Sequence, residues 1–517
     1  MKKSTTAAAL VVAAAIALSG CASGGASSDP APAANPISGG IARVVEAGTP
    51  TSLDPALLQN TGPRMPVTGN SLYGQLVTDD PVTGEIKMGL LKEFATSDGG
   101  KTFTVRVREG VKFSDGTPFT AEAVKFGWDR IKVPTTGSSV IATGALVDNI
   151  KIVDELTATV TMAKPTPHFP SAVLFTQMNW IGSPTALQAG AEAFNAKPVG
   201  AGPFVLEKWT QGDVLKLKKN QNYYVPDLPH LDGLEVRGIA DPSLAYNALA
   251  SGQADVVMTI SQEKAANAVD AGNVATPYVL GGGNALIMNT SKAPFDDVRA
   301  RQAVSYALDL DKLSEAVYGG FGELPKTLFK ADSPLFADVP VHTYDREKAQ
   351  KLFNELAAEG KPLTFSMALF PGGSAMFEAI QSQLSQYQNV KVTANQRDQS
   401  EQGSLPVKGD FQMLSSAIVF NDPDPRIWLA LHGEAGSSNY SRLNDAQMNT
   451  ALNAGRDGKT IEERADAYKK VAERFQELVP MILTNVSYFG SIESSKVNGI
   501  TMYGMGSLAP DTLWLQP

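Results

Sequence analysis

Residues 107–130 read VREGVKFSDGTPFTAEAVKFGWDR, and their residue types set out the end of a strand, a turn and a helix in immediate succession. The strand begins upstream: in Lys101–Glu109 (KTFTVRVRE), Phe103, Val105 and Val107 alternate with polar neighbours, the period-two pattern of a half-buried strand. Gly110 and Asp115-Gly116 then supply turns. Thr120 stands at a helix N-cap position before AEAVKFGWDRI, an amphipathic run ending near Ile131. Strand and helix adjacent in this way imply an α/β layer.

The pattern continues outward. Residues 150–163 predict a hairpin around Asp154-Glu155, and residues 204–219 another around Gln211-Gly212. Lys216, Lys218 and Lys219 read as the solvent face or end of that last strand. From about residue 290 helices dominate: Val298–Leu308 and Asp311–Tyr318 form a broken pair stopped by Gly319-Gly320. Asp345 opens a helix closing at Gly360, and Thr460 with Glu463 fits a capping box on a helix running toward Pro480. No repeat of fixed period is visible. Strands and helices intermingle, which favours α/β lobes over a β-sandwich or a helical bundle.

At the N-terminus, Lys2 and Lys3 precede an apolar stretch from Ala7 to Leu18, and Leu18-Ser19-Gly20-Cys21 follows. A basic start, a short apolar run and a small-residue cleavage site read as a secretory signal over 1–20. Cys21 is the sole cysteine, so it has no intramolecular disulfide partner, and lipid attachment at a new N-terminus is the use expected for it. Residues 21–40 carry almost nothing large enough to pack and read as a flexible tether spanning roughly 20–25 Å. The remaining length exceeds what one hydrophobic core usually supports, so two or three lobes are expected. A net charge of −9 with no basic block excludes nucleic acid as the expected partner.

Catalysis finds little to work with. The four histidines are His168, His230, His342 and His432, none at metal-ligand spacing from another, so neither a metal nor a cofactor is expected. The nucleophile elbow G-x-S-x-G is absent. Gly100-Lys101-Thr102 and Gly458-Lys459-Thr460 echo a phosphate loop, but Ala95 and Asn453 occupy the positions of its upstream glycine. Pairs among the 53 acids stay open, so a secreted hydrolase remains the alternative class, and an extracytoplasmic sensor or chaperone a second one.

Several segments together resemble the bacterial extracellular solute-binding proteins of family 5. They are Leu53-Asp54-Pro55, Leu72–Val77 (LYGQLV), residues 107–130, VGAGPFVLEKW at 199–209, NQNYY at 220–224, ALASGQADV at 248–256 and FDDVRARQAVSYALDLDKL at 295–313. The resemblance runs from about Ile41 to the C-terminus. It implies an α/β, two-lobed periplasmic-binding-protein-like fold with a hinge. Lobe I would comprise 41–75, 198–288 and 486–517, with an inserted subdomain at 76–197, and lobe II would comprise 289–485. It also implies a monomeric receptor, held to the membrane by its lipid, that passes a solute to an ABC permease and ATPase and catalyses nothing itself.

Dipeptide binders of this family hold the peptide termini with an arginine and an aspartate. The stretch matching the arginine is Ala368–Gly373, which has none, and counting back from Asp422-Pro423 puts Val419 in place of the aspartate. An unpaired ion is costly to bury, so simple dipeptides are expected to be poor ligands. Phe370, Val419 and Phe420 suggest an apolar or aromatic wall. Asn421, Asp422, Trp428, Asn439 and Tyr440 are its expected neighbours, with Asn70 and Tyr73 facing it from the first lobe.

Overall fold

The strand Thr102–Val107 and the helix Ala121–Lys132 form where alternation and turn residues predict them. The computed structural model describes residues 35–370, 373–398, 401 and 404–517. Cys21 and the signal over 1–20 lie outside the described residues. Thr120 has the extended backbone of an N-cap, yet its hydroxyl makes no capping bond; the carbonyl of Glu155 takes the Ala121 N–H instead. The second expected cap does form: Thr460 accepts from the Glu463 N–H at 3.2 Å, and Glu463 reaches back to the Lys459 N–H at 2.8 Å.

Three sheets carry the molecule. The strands Leu91–Ala95, Thr102–Val107, Thr157–Met162 and Val147–Ile152 make a four-stranded antiparallel sheet in that order. Its buried face meets Phe94, Phe103, Trp128 and Phe169, whose rings pack with centroids 5.5–6.0 Å apart. A seven-stranded sheet runs Val274–Val279, Tyr488–Glu493, Val256–Thr259, Ile41–Glu46, Gly233–Gly238, Val214–Lys219, Phe204–Thr210. A five-stranded sheet runs Val390–Gln396, Leu363–Leu369, Met413–Phe420, Gly281–Met288, Met481–Asn485. Both hairpins read from the sequence are present.

Sheet membership changes at Leu280, earlier than the boundary expected after 288. Gly281–Met288 pairs antiparallel with Met413–Phe420 in the second large sheet, so it belongs with the second lobe. Gly282 sits at φ 76°, where a β-carbon would press on the Ile418 carbonyl, so the strand starts on a backbone only glycine tolerates. The return crossing lies between Asn485 and Tyr488. Since Val279 pairs with Tyr488 and Asn284 with Asn485, the two connections run side by side.

Gly200 and Gly202 lie just before the strand Phe204–Thr210. Neither has a positive φ; they are needed because a β-carbon there would come within 2.2–2.3 Å of the Leu72 and Ser71 carbonyl oxygens. The helix Pro66–Tyr73 is thus enclosed on every side, and all eight of its residues are buried.

Candidate functional site

A cavity of about 520 Å3 opens directly over the two crossings. The first lobe contributes Ile260–Glu263, Tyr488, Phe489 and Met505. The second contributes Asn284, Val317–Gly319, Phe321, Ala417 and Val419, and Asn485 and Ser487 come from the return crossing itself. Ala417 and Val419 are two apart on one strand, so they face the same way. The walls are mainly aromatic and aliphatic with a few polar groups, the usual make-up of a small-molecule pocket. Asn485 is 6% exposed, and its Oδ1 is buried without a hydrogen-bond partner among the described residues. Such an acceptor is costly to leave unmet.

Beside this cavity the lobes are tied by polar contacts. Asn421, just past the strand Met413–Phe420, donates Nδ2 to Asp79 Oδ2 at 2.9 Å and to the Tyr278 hydroxyl at 2.8 Å. Asp79 Oδ1 also accepts the Gly504 N–H at 2.7 Å. Burial pushes the Asp79 carboxyl above its ordinary range, against the pull of these donors. A second contact between the lobes is made by His168, beside an ion pair that lies within the second lobe. Asp422 makes a bidentate pair with Arg464 at 2.7 and 2.9 Å, and His168 Nδ1 approaches the same carboxylate at 3.8 Å. Burial opposes the Asp422 charge, yet the Arg464 guanidinium wins and holds its carboxyl below the usual range. Arg456 lies over the Trp428 ring at 4.8 Å and donates Nη2 to the Pro165 carbonyl at 2.7 Å.

A further cavity of about 430 Å3 lies where the helix Arg426–Leu431 of the second lobe faces the first. Gln59–Thr61 and residues between Ser139 and Gln177 form one side, and Pro425, Arg426 and Leu429 the other. Met505 connects the two cavities: it lines the first, and its sulfur meets Arg426 Nη2 at 3.4 Å.

Residues 85–439 match the bacterial extracellular solute-binding proteins, family 5 Middle. The chain belongs to family 5. The glutathione-binding protein GsiB of Escherichia coli K12 is 30% identical over 364 residues, spanning 68% of each chain, and GsiB of Shigella flexneri gives the same figures. Among solved structures, HbpA2 from Haemophilus parasuis superposes with TM-score 0.78 at 21% identity, over 92% of this chain and all of that one. AgaA from A. tumefacien R10, in complex with agropinic acid, gives 0.76 at 24%, over 92% and 99%. The fold is the two-lobed α/β fold of periplasmic binding proteins. As a family 5 member the chain is an extracytoplasmic solute-binding protein and not an enzyme, and the hydrolase alternative is set aside. Among the described residues no helix is long and apolar enough to cross a membrane, and no cluster of His, Cys, Asp or Glu is built to hold a metal ion.

The residues singled out in the sequence scatter within this family 5 frame. Val419 lines the main cavity and Asn421 ties the lobes beside it. Asp422 is spent on Arg464, and Phe420 packs inside the second lobe 5.5 Å from the Phe329 ring. Phe370 packs against the same core, and Trp428 stacks on His432 at 4.3 Å. Asn439 is buried with Nδ2 on the carbonyls of His432 and Leu443. Tyr440 packs against the second-lobe core. Asn70 and Tyr73 do not face the cleft. Asn70 bonds the Leu508 carbonyl and the Trp180 indole, while the Tyr73 hydroxyl bonds the Leu53 carbonyl, so their polar atoms are used up inside the first lobe. Sequence reading passed over Arg426, Tyr488, Phe489 and Met505. Arg426 follows Asp422-Pro423-Asp424-Pro425 in the sequence, at neither of the two positions where dipeptide binders keep their anchors.

Proposed function

We propose that the chain is the lipid-anchored receptor of an ABC importer and closes its lobes over a small amphiphilic or peptidic solute. The observation that carries this is the cavity above the crossings, walled from both lobes where rotation about two adjacent connections would open it. A solute touching both walls favours the closed form through contacts the open form lacks. The relatives whose names give glutathione and agropinic acid support a small organic solute, and Val419 in place of a charged anchor supports poor binding of simple dipeptides.

The test starts from the compound that co-purifies with the protein, identified by mass spectrometry. Adding it back to stripped protein should lower the radius of gyration in small-angle scattering; an unchanged profile at saturation counts against closure. Asn421→Leu removes two cross-lobe hydrogen bonds, one to a carboxylate. At about 1–3 kcal/mol for a bond to a charged group, this should weaken solute binding roughly 5- to 150-fold by calorimetry. Undiminished affinity would mean the tie plays no part in closure.

Anchoring is proposed to run through Cys21, with residues 21–40 as the tether and the body monomeric. Cys21→Ser should abolish lipid modification and move the protein to the soluble or unprocessed fraction. A processed serine variant that still sediments with membranes would overturn this.

A further inference from the structure

Arg426, half-buried in the cavity wall, stands apart from the arginines whose guanidinium groups are paired. Arg464 is paired with Asp422, and Arg301, 4% exposed, gives Nε to the Leu478 carbonyl and Nη1 to the Phe295 carbonyl. Arg426 has neither kind of partner among the described residues. Its single bond goes to the Met505 sulfur at 3.4 Å, a weak acceptor, and its guanidinium lies 5.7 Å from the Phe175 ring centre. A guanidinium carries five N–H donors in a planar fork, so most of this one's capacity is unused. Burial disfavours its charge, and among the described residues no carboxylate pairs with it.

The surroundings are matched to an anion. Among the described residues no aspartate or glutamate lines the 430 Å3 cavity, and Gln59, Thr61, Ser139, Thr143 and Gln177 line it together with Arg426 as neutral hydrogen-bonding groups. Hydroxyls and a free guanidinium fork together present donors to an oxyanion, for which bidentate arginine contacts are strong and geometrically selective. In a cleft with low-dielectric walls on both sides a cation without a described acidic partner attracts such a group more than it would on an open surface. The cavity is walled from both lobes, so an anion held there gains its contacts only when the lobes are together.

We infer that this second cavity is a subsite for an anionic group of the solute, a carboxylate or phosphate oxyanion seated on Arg426, while the less polar body of the solute occupies the cavity above the crossings. The inference rests on the solute-receptor reading. Met505, touching both spaces, is the flexible side chain that shifts to let one molecule reach across. The anchor lies at neither position where dipeptide binders keep theirs, so a solute with an acidic group is accommodated although the expected charges are missing.

The test uses the stripped full-length protein with acetate, inorganic phosphate and acetamide as probes, at constant ionic strength set with chloride. Acetate or phosphate should raise the thermal midpoint saturably in the millimolar range and shift the Arg426 side-chain resonance in arginine-labelled protein. Acetamide, the neutral counterpart of acetate, should do neither. A larger response to acetate assigns a carboxylate, and a larger response to phosphate assigns a phosphate. Arg426→Leu should abolish the response, and Arg426→Lys should retain part of it. No saturable response to either anion, an equal response to acetamide, or a response unchanged in Arg426→Leu overturns the subsite. Because these probes are read without the natural solute, a failure here leaves the scattering test of lobe closure standing, and the two readings fail separately.

Discussion

Asp424→Asn is expected to stabilise the protein at pH 8 but not at pH 5. Asp424 is fully buried, and neither of its carboxylate oxygens has a hydrogen-bond partner among the described residues. The nearest cation, Arg456 Nε, stands 3.8 Å away, too far for a bond. Burial, only partly offset by Arg456 and worsened by Asp422, pushes the carboxyl up to about 7. An unfolded aspartate titrates near ~3.9. A folded value above the unfolded one means the burden is absent below about pH 4, grows up to about pH 7, and is constant beyond.

At about 1.4 kcal/mol for each unit, the ionised form costs about 4 kcal/mol at pH 8 and about 1.5 kcal/mol at pH 5. Asparagine keeps the shape and removes the charge, but its own unpaired amide costs about 1–3 kcal/mol at either pH. The gain at pH 8 should therefore be about 1–3 kcal/mol, and at pH 5 the change should run from near zero to a loss of about 1–2 kcal/mol. The difference between the two conditions, about 2.5 kcal/mol, is the sharper quantity because the amide's cost cancels in it. Urea unfolding of both proteins at the two pH values measures it. An effect independent of pH, or a larger loss at pH 8, would show that Asp424 is not held ionised at a cost.

Such a burden is tolerable where it does something. Asp424 attracts Arg456, which covers Trp428 and reaches the Pro165 carbonyl on the other lobe. The costly carboxylate thus helps aim a cation that joins the lobes. Buried charge at such a junction is consistent with a protein whose two halves must both meet and part.

How far the sequence discloses this depends on the kind of residue. The strand at 102–107, both hairpins and the Thr460–Glu463 cap were legible because period, turn residues and capping chemistry act over a few neighbours. The crossing at Leu280 was not, since strand order is set by pairings between residues far apart in the chain. Gly281-Gly282-Gly283 was the local clue, a run of glycines at the start of an otherwise apolar strand. Asn70 and Tyr73 misled for a different reason. A helix enclosed on all sides loses the one-faced periodicity that marks inside from outside, so its polar residues look available when they are satisfied within. Arg426 hid behind a comparison of positions; what marks it is the missing partner, which only three-dimensional packing reveals.

Trp180→Ala should be among the most damaging single changes, at about 4–8 kcal/mol, while leaving the affinity of the folded protein for its solute intact. Trp180 is 2% exposed and lies flat against the helix Pro66–Tyr73, where a β-carbon on Gly69 would come within 2.3–2.5 Å of the indole. Its Nε1 donates to Asn70 Oδ1 at 2.9 Å, and Asn70 in turn donates to the Leu508 carbonyl at 2.8 Å. Truncation leaves a large cavity, worth about 3–5 kcal/mol. It also orphans a buried acceptor, worth about 1–3 kcal/mol more. Gly69→Ala approaches the same contact from the other side, since one added methyl cannot fit and overpacking costs about 1–3 kcal/mol. Removing the ring makes room for that methyl, so the double variant should lose less than the sum of the singles. Denaturant titration of the three variants closes the cycle, and calorimetry below the unfolding transition reads affinity. If Trp180→Ala cost under 2 kcal/mol, the packing argument would fail. If it instead lost affinity while keeping its stability, Asn70 and Tyr73 would return to the solute site from which their buried hydrogen bonds exclude them.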